Sequence, residues 1–179
     1  MIIDPKRKRA VLVLMCGRSF SGKTTISREL AVSLDAEIVS LDSINEERGL
    51  FGGQGIPVEE WIRTNDEATR RVSAALERGG RVVVDDTSSP RFLRDNWRSL
   101  AADASSAFAL VYVDTPEHIT RRRLLSTREQ ANRNDVIDEV MAKHLESFEP
   151  PEPDEAHITI RSLTEDTPLL LAAVHQLIS

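Results

Sequence analysis

At 179 residues, with 40% hydrophobic and 29% charged residues, the chain can bury roughly 70% of its unfolded surface in one core without disulfides or a structural metal. The 23 Lys and Arg against 29 Asp and Glu leave a net charge of −6, a poor match to non-specific nucleic-acid binding, with only a local basic groove left open. Cys16 is the single cysteine, which excludes an internal disulfide framework and a Cys-based zinc cluster.

Strand-like and helix-like segments alternate along the whole chain. Ala10–Cys16 is an uninterrupted apolar run, as expected of a strand covered on both faces of a parallel sheet. The run is far too short to span a membrane, and no cleavage pattern follows the basic stretch Lys6–Arg9. A cytoplasmic protein without a membrane partner is therefore expected. A glycine turn leads into a helix over Thr24–Leu34. Glu37–Leu41, Arg81–Asp85, Ala107–Asp114 and His157–Ile160 are further strand candidates. Val58–Arg78 reads as a long helix, with Glu59/Arg63 and Glu67/Arg71 at i,i+4 and a stop at Gly79-Gly80. Pro90–Asp103 opens on a proline in its first turn, and Thr115-Pro116 is an N-cap followed by proline. A further helix start falls near Asn134-Asp135, and the last helix spans about Thr167 to Leu177. Pro- and acid-rich Glu149–Glu155 reads as a surface loop. Strands alternating with helices of this length imply right-handed crossovers, a parallel sheet and a single α/β domain over residues 1–179.

Gly17-Arg-Ser-Phe-Ser-Gly-Lys-Thr24 matches G-x-x-x-x-G-K-[ST] at every fixed position, directly after a buried strand and before a helix. Such a loop curls so that backbone N–H groups and the helix N-terminus face phosphate oxygens. The expected contacts are Gly17, Ser19, Ser21, Gly22, Lys23, Thr24 and Thr25. Lys23 would reach the β- and γ-phosphates, and the Thr24 hydroxyl would face Mg²⁺. The bland alternative is a turn that only joins strand to helix. Cys16, beside this loop, reads as a small apolar core residue rather than a nucleophile.

Ligands gather at the carboxyl ends of parallel strands, so the acids there are the next candidates. Asp42 follows the second strand and could take a proton from an attacking hydroxyl, or simply cap a helical turn. Asp85 and Asp86 follow the third, and either could hold Mg²⁺; sequence alone does not choose between them. Residues 121–136 carry Arg121, Arg122, Arg123, Arg128 and Arg133, suited to closing over a nucleotide, or to a solvated helix face with Glu117 at i,i+4 from Arg121. Arg122 and Arg128 are the candidates for transition-state charge, and Arg133 for the nucleotide. Residues 43–65 are the candidate substrate side, with Phe51, Gln54 and Trp61 as possible lining. Trp61 and Trp97 read first as core. His118, His144, His157 and His175 are dispersed, so zinc is not expected.

The P-loop, the VSLDSINEERG and VVVDDTSSPR segments, YVDTPEHITRRR and the F-E-P-P-x-P loop together resemble the small P-loop kinases. Within them the likeness is to the AAA-type group related to the polynucleotide kinase domain and to zeta-toxin-like enzymes, over about residues 10–160. The resemblance implies a three-layer α/β P-loop NTPase fold with five parallel strands in the order 2-3-1-4-5 and an arginine-bearing lid. It also implies ATP with Mg²⁺, transfer of the γ-phosphoryl group to a hydroxyl, and Asp42 as general base. The polynucleotide kinases carry an arginine three residues after that Asp; here it is Asn45. A small hydroxylated acceptor is thus the first expectation. A polynucleotide or tRNA 5′-hydroxyl kinase and a nucleotide-dependent regulatory ATPase are the alternatives.

Overall fold

The computed structural model describes residues 9–51, 55–130, 147–161 and 166–178, with backbone alone at 127–130 and 177–178. Five strands form one parallel sheet: β1 (Val11–Cys16), β2 (Glu37–Ser40), β3 (Arg81–Asp85), β4 (Ala107–Val113) and β5 (Ile158–Ile160). Their order is β2-β3-β1-β4-β5, as the resemblance implied. β1 lies at the centre and is inaccessible throughout. This is why its sequence is unbroken apolar rather than alternating: both faces are covered.

The pleat sends β1 side chains alternately to two cores. Val11, Val13 and Met15 join Ile26 and Leu30 of α1 (Lys23–Leu34) and Leu170 and Val174 of α6 (Thr167–Ile178). Leu12, Leu14 and Cys16 face the other way, onto Ala68 and Val72 of α3 (Val58–Glu77) and Trp97 and Ala101 of α4 (Arg91–Asp103). Helices therefore cover both sides of the sheet in three layers. The carboxyl ends of β1, β3 and β2 converge at one rim.

The sequence reading needs three corrections. The second strand stops at Ser40, and Leu41–Glu47 forms a separate short helix, α2. The Ser40 side chain caps it by accepting from Ser43 N at 3.3 Å, and Leu41 and Ile44 bury the face turned to the core. Within α3, Arg63 pairs with Glu60 rather than Glu59, whereas Arg71 pairs with Glu67 as expected. Finally, the acidic 149–155 stretch is only partly a surface loop. Glu155 is 3% exposed and the adjoining Phe148 8%. Both turn inward, for reasons given below. α5 spans Glu117–Gln130. The helix start expected near Asn134 and the far part of the lid fall outside the described residues.

Candidate functional site

The phosphate motif forms a wrapped loop at the end of β1. Gly17 approaches β4 so closely that a Cβ there would sit 2.9 Å from Val113 O, so no other residue fits. Gly22, the N-cap of α1, takes φ 104°, a left-handed conformation that glycine adopts without strain. The loop's carbonyls are taken up by side chains around it. Lys23 Nζ donates to Gly17 O at 2.8 Å and Arg18 O at 2.9 Å. Thr115 Oγ1 donates to Ser21 O at 2.8 Å. Arg123 Nη1 reaches Phe20 O and Ser21 O at 3.0 and 2.8 Å.

Three carboxylates face this loop. Asp85 ends β3, buried, and registers with Ser40 of β2. With Thr24, Ser27, Ser40 and Ser43 it lines an open cleft of about 270 Å³, whose outer wall is the Glu47–Arg71 ion pair. Asp86 accepts from Ser88 N at 2.8 Å and Ser88 Oγ at 3.3 Å. Burial raises its carboxyl above the usual range, while Ser88 and the Lys23 charge act the other way. Asp42 stands exposed in the first turn of α2. Burial lowers the Lys23 ammonium, and the charges of Asp85, Asp86 and Asp42 oppose that shift. All three nominated acids thus lie within electrostatic reach of one lysine. Cys16, by contrast, is desolvated and its thiol is pushed up to about 12, which leaves it protonated and inert.

The arginine segment is only partly assembled from the expected members. Arg121 pairs with Glu117 at 2.8 Å and Arg122 is exposed. Among the described arginine side chains of the segment, the one that touches the phosphate loop is Arg123, which the sequence reading did not single out. No sequence feature distinguished it from the arginines beside it. The Arg128 side chain, Arg133, Gln54 and His144 lie outside what is described. Phe51 is exposed, Trp61 half-buried and Trp97 core. Asn45 is 3% exposed and accepts from Thr64 Oγ1 at 2.5 Å. Arg48 closes the same α2–α3 contact through Thr64 and Glu60. Asn45 therefore holds two helices together rather than facing a ligand.

One cluster had no sequence signal. Arg94 of α4 is fully buried and meets Glu155 through two parallel hydrogen bonds of 2.7 and 2.9 Å. The same guanidinium donates to Ser88 O at 3.0 Å, Glu149 O at 2.9 Å and Pro150 O at 3.4 Å. Hydrogen bonds from Arg94 hold the Glu155 carboxyl down at about 2. Beside it Phe148 stacks on Tyr112 and carries the Arg18 guanidinium 5.5 Å from its ring centroid.

The order of the five parallel strands and the phosphate loop at the end of β1 are those of a P-loop nucleotide-binding domain. The chain belongs to the AAA domain family, whose profile matches residues 12–151. A protein of Chloroflexus aurantiacus superposes with a TM-score of 0.79 at 16% identity, over 96% of this chain and 100% of that one. Kti12 of Chaetomium thermophilum, solved with ADP-AlF3, gives 0.69 at 16% identity over 94% and 99%. A gluconokinase from Sinorhizobium meliloti gives 0.65 at 18% over 97% and 95%. No curated protein sequence matches the chain. Among the described residues, no helix is long and apolar enough to cross a membrane.

Proposed function

We propose that this protein is an ATP- and Mg²⁺-dependent kinase that transfers the γ-phosphoryl group to a hydroxyl of a small molecule. The observation that carries the reading is the convergence of Asp42, Asp85 and Asp86 on Lys23 of the phosphate loop. Kinases of the same fold, a gluconokinase among them, make phosphoryl transfer the reaction to test first.

The residues present fit both groups. The close approach at Gly17 and the glycine N-cap of α1 suit a phosphate chain. Among the described residues no three His, Cys, Asp or Glu side chains form a metal cage. That suits Mg²⁺, which takes one or two carboxylates and fills its remaining positions with water and phosphate oxygens. Thr24 and Asp85, lining one cleft, would hold it, with Asp86 beside them. When bound, the ion would neutralise charge on the β- and γ-phosphates.

The chain's own groups then divide the work. Lys23 leaves the loop carbonyls for the phosphate oxygens and offsets charge developing on them. An Asp42 carboxylate oxygen accepts the acceptor's hydroxyl proton. The acceptor oxygen bonds to the γ-phosphorus as the bond to the β–γ bridging oxygen breaks, and ADP departs. Arg123 keeps the loop's carbonyls turned away from the nucleotide. Arg122 and Arg128 are the lid residues proposed to offset transition-state charge, and Arg133 the one proposed to hold the nucleotide.

The test is a screen of hydroxylated metabolites, antibiotics and nucleosides for acceptor-stimulated ADP release. Stimulation by a small alcohol supports the reading. Stimulation only by oligonucleotides, with binding that weakens steeply with salt, would replace it with a 5′-hydroxyl kinase. Steady hydrolysis that no acceptor changes would replace it with a regulatory ATPase.

A further inference from the structure

We infer that the buried Arg94–Glu155 pair is the positioning device of this site, clamping the 86–89 turn onto the phosphate loop and so placing the Asp86 carboxylate. The inference rests on the kinase reading for its consequence, but not for its geometry.

Each link is a hydrogen bond. Glu155 orients the guanidinium through both carboxylate oxygens, and its Oε1 also accepts from Glu152 N at 3.2 Å. The guanidinium then holds Ser88 O. Ser88 in turn holds Asp86 through its N–H and hydroxyl. The neighbouring residue completes the clamp, since Thr87 O accepts from Gly17 N at 3.2 Å at the start of the phosphate loop. The remaining donors of Arg94 pin Glu149 O and Pro150 O, which seats Phe148 against Tyr112 and under Arg18. One side chain thereby joins α4, the β3 end, the phosphate loop and the 147–155 loop.

The chemistry explains why an arginine and a carboxylate stand here instead of an apolar pair. A buried ion pair is costly to desolvate, and well-packed apolar residues of similar volume often stabilise as well or better. Apolar side chains, however, release the carbonyls of Ser88, Glu149 and Pro150 from their common donor, leaving buried Ser88 O only the weak Cys16 thiol at 3.7 Å. Only a planar fork with several donors serves them all in one geometry, and a lysine's single point charge does not. Retention of the pair thus follows from what it positions.

The experiment compares wild type with Arg94→Lys and with the apolar double variant Arg94→Met/Glu155→Leu, the latter guarding against a variant that fails to fold. Hydrogen exchange of the ligand-free protein is read at Ser88 and Gly17. In both variants these amides should exchange at least about tenfold faster while β1 and β4 keep wild-type protection. Nucleotide binding in EDTA should stay within about twofold, while the Mg²⁺ concentration for half-maximal turnover rises about fivefold or more; combined with Asp86→Asn, the losses in kcat should be far from additive. Wild-type exchange at Ser88 and Gly17 overturns the inference. So does exchange raised evenly over the sheet, or additive losses with Asp86→Asn, each of which marks the pair as structural only. A wild-type protein without Mg²⁺-nucleotide turnover would sink the kinase reading instead, and the exchange pattern would still decide the clamp.

Discussion

Lys23 donates to two carbonyls of its own loop while three carboxylates surround its charge. Its ammonium is thus held at the mouth of the cradle by loop carbonyls, and among the described residues it makes no ion pair. Lys23→Met should lower kcat by about 10² or more, as expected when a group offsetting transition-state charge is lost, with a smaller effect on acceptor KM. Steady-state kinetics with saturating acceptor will show this. Asp42 differs from Asp85 and Asp86 in being exposed, which suits a residue that meets a substrate hydroxyl. Asp42→Asn should retain nucleotide binding yet lose about 10²–10⁴ in turnover. Unchanged turnover would mean that the proton goes elsewhere.

At the scale of elements, α2 is the carrier of Asp42, and only seven residues long. A helix so short depends on its cap and its neighbours. Ser40→Ala removes the acceptor for Ser43 N and should cost about 1 kcal/mol in denaturant unfolding. The opposite face rests on the Asn45–Thr64–Arg48–Glu60 contact with α3. Asn45→Ala should destabilise by about 1 kcal/mol, because it removes the hydrogen bond across the two helices and leaves the Thr64 hydroxyl only the Glu60 carbonyl of its own helix, at 3.1 Å. If Asn45 acted on the acceptor instead, the variant would raise acceptor KM at unchanged stability.

Across the whole molecule, the Arg94–Glu155 pair ties the last loop to the sheet's functional rim, and it carries a pH signature. Glu155 ionises at about 2 in the fold against an ordinary 4.5, so the folded form holds its proton less tightly than the unfolded chain. Its contribution to stability is complete above pH 4.5 and is lost as pH falls toward 2. Glu155→Gln should therefore flatten the acid limb of a stability–pH profile in that window. At neutral pH it should cost several kcal/mol, since it leaves Arg94 buried without a counter-charge. Thermal melts at several pH values will separate the two effects.

By itself the sequence determined those features that depend on local pattern. The apolar β1 run, the glycine spacing of residues 17–24 and the alternation of strand and helix each carry their own signal within a short window, and the sheet order followed from the family likeness. The acids at the strand ends were legible for the same reason. The tertiary structure decided what depends on approach between distant segments. Asn45 is a helix clasp because Thr64 lies against it, and Arg123 meets the loop because the carbonyls of Phe20 and Ser21 lie within reach of its guanidinium. In the sequence Glu155 reads as part of an acidic surface loop, and nothing there singles out Arg94, 61 residues away. Nothing in a charged residue's neighbours along the chain says that it will be buried. Only packing, by stripping water from both and leaving them each other, turned them into a pair.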